Sequence, residues 1–292
     1  MITVSRVTKR YAQRDGKPLF ICDYSPPRGF DLSTVEQVKQ VGADFVCVAY
    51  SPGKSVRVDS TVMAYIISQA GDQDVIFNLA CRDMNRLALQ NHLLGAQILG
   101  LENIVVLQGD EFTGKDLAIV KEVGDYRPTE LIEALMSLNQ GMDFRDLKLR
   151  APTAFCIGGA IDLSKEDLEQ EAFLAEQKAV AGADFFITQA FYEVRRAEQF
   201  LEIYRGLTGQ GFPKPVFYGL QILEKDGIIF GDVPEATLRD LEQGRPAVDI
   251  ALEQLRTFMD GGLTTIYLVP PILRGGRRNY KAAQDLLEAF RG

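Results

Sequence analysis

Histidine is almost missing from this chain: the only one, His92, falls in the middle of an expected helix. A single imidazole excludes a multi-histidine metal centre and a histidine-based nucleophile triad. Cysteine is sparse as well. Cys22, Cys47, Cys81 and Cys156 each lie in or beside a strand-like run, with no metal-type CxxC spacing. They read as buried thiols of a cytoplasmic protein. No apolar run approaches the ~18 residues that a bilayer span requires, and no signal peptide opens the sequence. A basic excess is also lacking. Lysine and arginine number 32 against 40 aspartates and glutamates, for a net charge of -8, which argues against a nucleic-acid binder with a basic face. No long linker or low-complexity tract divides the 292 residues, so one domain is expected.

What is present is a repeated joint. Ala181-Gly182-Ala183-Asp184 leads into the apolar run Phe185-Phe186-Ile187-Thr188, which ends on the uncharged amide of Gln189. Val41-Gly42-Ala43-Asp44 followed by Phe45-Val46-Cys47-Val48 nearly repeats it, and glycines 100 and 262 open similar runs. Glycine just past a helix supplies a left-handed cap that turns the chain into the next strand. Four such joints point to one αβ unit reused. Strands are expected at residues 19–24, 45–50, 75–79, 104–107, 154–157, 185–189, 216–220 and near 263–268. Helices are expected between them, including 85–99 with Leu87, Leu94 and Ile98 on its buried face, and 165–181 capped by Ser164. Gly158-Gly159 read as the close of the fifth strand. Residues 1–17 read as a lead-in arm or short helix, and 108–128 as a long polar loop of the kind that is usually functional.

Eight strands alternating with helices predict an α/β protein, a single-domain (β/α)8 TIM barrel, rather than an open Rossmann sheet. No G-x-G-x-x-G follows an early strand. In such a barrel the active site forms beyond the C-terminal strand ends. That rule selects Asp23, Tyr50, Asn78, Gln108, Asp110, Gly158, Gln189, Gln221 and the loop after Leu268. Asp23 reads either as a desolvated general acid with a raised pKa or as a structural carboxylate accepting from loop amides. Asp110, behind Gly109, either meets a ligand or makes a loop turn. Gln189 offers a donor and an acceptor to the edge of an amide-like or pterin-like ring. Lys178 on its own reads as a surface lysine. Arg274, Arg277 and Arg278, with Gly275 and Gly276, suit an anion such as a phosphate or a polyglutamate tail, or else form a solvated basic turn.

Three ordered stretches carry a resemblance: Asp23-Tyr24-Ser25-Pro26-Pro27-Arg28; Cys81-Arg82-Asp83 through Asn103-Ile104 to Gly109-Asp110; and Lys178 with residues 181–192. From Leu19 to about Leu223 the chain resembles the methylenetetrahydrofolate reductase family, flavin-dependent (β/α)8 enzymes. The second stretch is especially like the reductase half of bacterial proteins fused to a homocysteine methyltransferase. The resemblance implies a reductase of one-carbon metabolism and methionine biosynthesis, acting on 5,10-methylenetetrahydrofolate with FAD and with NADH or NADPH as electron donor. It places Asp23 as the acid that protonates the folate nitrogen and Asp110 beside the flavin and the pterin. Gln189, with Gln221 and Tyr50, falls on the folate. Asn78, Gln108, Gly109, Asp110, Cys156, Gly158, Asp162, Glu171 and Lys178 fall on the cofactor.

The chain also departs from the family pattern. Its acid is an aspartate, one methylene shorter than the family's glutamate. Ala49, Asn78 and Gln108 stand where a threonine, a histidine and an arginine are usual, and Tyr218-Gly219-Leu220-Gln221 replaces a Pro-Gly motif. Each lost charged hydrogen bond weakens a ligand by ~1.5–3 kcal/mol, roughly tenfold to a hundredfold. Two further readings therefore stand beside the reductase. One is a flavin-free folate-linked methyl transferase or demethylase; the other is a non-catalytic folate-binding subunit of a redox complex. A homo-oligomer or a redox partner protein is compatible with each.

Overall fold

A computed structural model describes residues 6–71 and 73–292. Eight parallel strands close in sequence order: β1 (Leu19–Tyr24), β2 (Phe45–Val48), β3 (Asp74–Ala80), β4 (Asn103–Leu107), β5 (Cys156–Ile161), β6 (Phe185–Ala190), β7 (Val216–Gln221) and β8 (Thr265–Val269), with β8 pairing back onto β1. The helices between them are α2 (Ser33–Gln40), α3 (Ser60–Ala70), α4 (Arg86–Ile98), α5 (Pro128–Asn139), α6 (Leu168–Ala181), α7 (Val194–Thr208), α8 (Glu235–Glu242) and α9 (Ala247–Asp260); α10 (Tyr280–Arg291) follows β8. The molecule is a (β/α)8 barrel. Among the described residues no helix is long and apolar enough to cross a membrane.

Alternation along each strand separates two cores. Outward residues such as Phe20, Val46, Phe77 and Phe186 pack under the helices. Inward residues, among them Ile21, Phe45, Ile76, Val105, Phe185 and Phe217, fill the barrel. The lead-in segment supplies its plug. α1 (Val7–Gln13) buries Val7 and packs Tyr11 against this inner core, and the Val7 N–H donates to Asn103 Oδ1 at 3.0 Å.

The repeated Gly-Ala-Asp joint has a common geometry. Gly42 (φ +70°) and Gly182 (φ +118°) take the left-handed turn. The following aspartate then accepts from the neighbouring strand: Asp44 Oδ2 from the Phe20 N–H at 2.8 Å, and Asp184 Oδ2 from the Ile157 N–H at 2.9 Å. Both carboxylates satisfy backbone donors at strand starts, which would otherwise be left unpaired.

Three expectations are corrected. β5 runs Cys156–Ile161, so Gly158 and Gly159 lie inside it rather than ending it. A Cβ on Gly158 would stand 2.5 Å from Phe185 Cζ; its lack of a side chain makes room for that ring in the barrel. On α4, Leu89, Leu93 and Ala96 are buried while Leu87 and Ile98 are exposed, since a different face of the helix packs on the barrel. Asp167, not Ser164, caps α6, accepting from the Gln170 N–H. His92 pairs with the Thr61 hydroxyl across α3 and α4, an ordinary packing contact.

Candidate active site

A cavity of about 500 Å³ opens at the C-terminal strand ends. On its floor Asp23 closes the last layer of β1 and is 4% exposed. Two donors clamp it: the Tyr267 hydroxyl donates to Oδ1 and Arg278 Nε to Oδ2, both at 2.8 Å. Burial, then the Asp23 charge, holds the Tyr267 phenol well above its usual range. Burial alone would draw Arg278 down, but the charge of Asp23 and its hydrogen bond outweigh that and leave it raised. Beside this pair the buried Cys47 thiol donates to Asn78 Oδ1 at 3.1 Å. Burial, then the nearby Asp23, pushes that thiol well above the normal value.

At the tip of β4, Gln108 and Asp110 have exposed side chains lining the cavity. Between them Gly109 takes φ +88°, and a Cβ there would lie 3.1 Å from those of Ala80 and Arg82, so the backbone and the packing both favour glycine. Arg82 holds this loop. It grips Asp83 with two bonds of 2.6 and 2.8 Å, donates to the Asp110 carbonyl at 2.6 Å, and lies 4.3 Å from the Phe112 ring centroid. Tyr50 lines the cavity beside this group, its phenol raised by burial and then by Asp83.

A bulge places Gln189. Ile187 pairs with Phe217 and Ala190 with Gly219, so β6 carries one residue more than β7 across that step. The Thr188 hydroxyl fills the break, accepting from the Gly219 N–H at 2.7 Å and donating to the Gln189 carbonyl at 2.8 Å. The Gln189 side chain is left exposed on the cavity wall. Gly219 is required here, because a Cβ would meet the Gln189 carbonyl oxygen at 2.4 Å.

The far wall is built from β5 and α6. Glu171 and Lys178, two turns apart on one helix face, both line the cavity with Asp162 and Lys165. Lys178 Nζ donates to the Ala160 carbonyl at 2.7 Å; burial lowers its pKa, and Glu171 partly restores it. Glu171 Oε2 accepts from the Asp162 N–H, and Asp162 Oδ1 from both donors of Ser164.

Three expected residues lie away from this cavity. Cys156 begins β5 at the closed end, where its sulfur is 3.8 Å from Thr8 Oγ1 beneath α1. Gly158 is covered by Phe185 in the barrel interior. Gln221 is buried, and both ends of its amide are occupied by the loop after β7: it donates to the Ile228 carbonyl at 2.7 Å and accepts from the Phe230 N–H at 2.8 Å. Phe230 reaches the cavity in its place. Sequence reasoning passed over Tyr267 and Arg82, and placed Arg278 in an anion turn rather than on Asp23. Tyr267 points inward by strand alternation from Thr265, a signal that was available.

The sequence profile of methylenetetrahydrofolate reductase matches residues 8–224. The chain belongs to this family. The relatives are distant. A Caenorhabditis elegans protein named "Probable methylenetetrahydrofolate reductase (NADPH)" is 24% identical over 69% of this chain and 30% of its own length. Methylenetetrahydrofolate reductase 2 of Schizosaccharomyces pombe is 28% identical over 61% of this chain and 28% of its own. The chain thus matches about a third of the length of these family members. Among solved structures, an uncharacterized protein from Clostridium thermocellum, described as binding two copies of 5-methyl-5,6,7,8-tetrahydrofolic acid, has a TM-score of 0.68 at 13% identity, over 98% of this chain and 99% of that one. That likeness is one of fold.

Proposed function

We propose that this chain interconverts 5,10-methylenetetrahydrofolate and 5-methyltetrahydrofolate with a bound flavin, in the cytoplasm, exchanging electrons with NADH, NADPH or a redox partner protein. The observation that carries the reading is the convergence of Asp23, Asp110 and Gln189, from three different strands, with Lys178 on one cavity. Family membership supports the reaction class, and the folate named for the Clostridium thermocellum protein supports the ligand class. The four cysteines are free and buried, in keeping with a reducing compartment.

In this reading the Gln189 amide and the Asp110 carboxylate take the edge of the pterin ring, one offering both donor and acceptor, the other only acceptors. Asp23 exchanges the proton of the folate nitrogen at which the five-membered ring opens. As a carboxylate it accepts from Tyr267 and Arg278 and is ready to take the proton when the methyl compound is oxidised. Once protonated, it can donate to the Tyr267 oxygen while still accepting from Arg278, because a hydroxyl serves as either donor or acceptor. Tyr267 thus holds Asp23 in place in both states.

The remaining walls fit a flavin. Asn78, Gln108 and the Gly109 backbone present amide groups at the β3 and β4 tips, while Lys178 and Lys165 stand across the cavity where an anionic tail would lie. An anion beside Lys178 would oppose the effect of burial and favour its charged form. Asp162 and Glu171 each retain one oxygen for a ribose hydroxyl. When bound, a flavin supplies the hydride chemistry, and the protein supplies position and the proton. A flavin-free, folate-linked methyl transfer is the second reading. It is favoured by the bonds that already tie Asp162 and Glu171 into their own loop.

An absorbance spectrum of freshly purified protein, followed by anaerobic turnover with 5-methyltetrahydrofolate, separates the two. Flavin bands that bleach on adding the folate support the reductase; a colourless protein that binds folate supports methyl transfer. Asp23→Asn is expected to lower turnover by about 10²–10⁴-fold. Full turnover in that variant would remove Asp23 from the chemistry.

A further inference from the structure

A second cavity, of about 400 Å³, lies behind Asp23 between the β1 tip, the loop before α3 and the β8 tip. Its walls bring Arg28, Arg57, Arg277 and Arg278 together from three separate loops. Of these four arginines only Arg278 makes an ion pair among the described residues, with Asp23. Arg57 is held by neutral groups alone: Nε donates to Ser55 Oγ at 2.9 Å and Nη1 to the Pro26 carbonyl at 2.8 Å. One carboxylate, Asp31, also lines the cavity, and it accepts from the Ser33 N–H at 2.9 Å. Positive charge is therefore in surplus. Burial, and then the charges of Arg278 and Arg28, pull the Arg57 pKa down, as expected where cations face one another without a counterion.

A second observation is independent of the charges. Ser25 lines the same cavity and is 7% exposed, and its buried Oγ has no hydrogen-bond partner among the described residues. Buried hydroxyls are normally paired, and an orphan calls for an explanation. An oxyanion in this space would give the guanidinium groups a counter-charge, and a turn of the Ser25 side chain would bring its hydroxyl to the same acceptor.

We propose that this cavity is a binding site for a small oxyanion, a phosphate or carboxylate group, held by Arg28, Arg57 and Arg277, with Arg278 shared between it and Asp23. Arg278 lines both cavities and uses Nε on Asp23, which leaves the other edge of its planar fork for the second site. The sequence pointed to Arg274, Arg277 and Arg278; the fold replaces Arg274 with Arg28 and Arg57, from positions more than 200 residues earlier in the chain. The proposal does not depend on the reaction assigned to the first cavity.

The test is binding to the full chain without substrate. Inorganic phosphate, and separately glutarate, would be titrated at constant ionic strength by calorimetry, with chloride as the control anion. Saturable binding of at least one of them is expected, and the pair identifies whether phosphate or carboxylate is preferred. Arg28→Gln and Arg277→Gln replace exposed side chains, so folding should survive; each should weaken that binding roughly tenfold or more. Lys178→Met, in the first cavity, should leave it unchanged. The site is overturned if neither anion saturates, if binding is indifferent to both arginine variants, or if Lys178→Met abolishes it while they do not.

Discussion

The two ends of the barrel interior are made by the same strands and could hardly differ more. At the closed end Phe45, Ile76, Phe185 and Phe217 interlock beneath α1. Two to four residues further along, the inward positions become Asp23, Asn78, Gln189 and Tyr267. The change occurs within one or two layers, with no change in backbone geometry except the β6 bulge. The lower layers give the rigidity that lets the upper one hold polar groups in fixed relation. Hydrogen bonds such as Tyr267 to Asp23 are worth little unless the strands beneath them are locked.

If that division is right, substitutions below should act on stability and those above on binding. The largest stability effect is expected for Phe185→Ala, which empties the lower core and should cost about 3–5 kcal/mol in urea unfolding. A loss under 1 kcal/mol would mean that the lower barrel is not close-packed. Next comes Gly158→Ala, whose added carbon meets Phe185 at 2.5 Å. It should cost about 1–3 kcal/mol through overpacking, part of it recovered by adding Phe185→Leu. Unchanged stability accompanied by loss of flavin would return Gly158 to the cofactor.

A smaller effect concerns pH. Burial lowers the Lys178 pKa, so between that lowered value and the ordinary lysine value near 10.4 the unfolded chain binds more protons than the folded one. Stability should therefore rise with pH across that window and decline as pH falls through it. Lys178→Met should flatten the slope, and an identical slope in both proteins would refute the assignment. The smallest stability change is expected for Gln189→Ala, within about 0.5 kcal/mol because the side chain is exposed. Folate binding measured by fluorescence should nonetheless weaken. A variant that binds folate as tightly as the parent would show that the amide does not read the ring.

Legibility followed the same division. The apolar runs located all eight strands, because a barrel strand is covered on both faces and reads as a continuous apolar segment. The tip rule brought Asp23, Tyr50, Asn78, Gln108, Asp110 and Gln189 to one cavity. It failed at β5, where two glycines read as punctuation. A glycine's reason can be a neighbour's bulk, and Phe185 lies 27 residues away in the chain. It failed again at Gln221, whose amide is taken by a loop with no regular pattern of its own.

Taken alone, the amino-acid order was enough for the number of strands, their parallel arrangement and six of the side chains that line the open end. Those follow from local periodicity and capping, properties of residues a few positions apart. Whether Asp23 stands bare or is clamped was decided only by closure of the barrel. Pairing β8 with β1 carries Tyr267 and Arg278 across 244 and 255 residues onto one carboxylate. Nothing local encodes that meeting, because the energy of an ion pair depends on separation in space and on the burial around it, and both exist only once the ring of strands is complete.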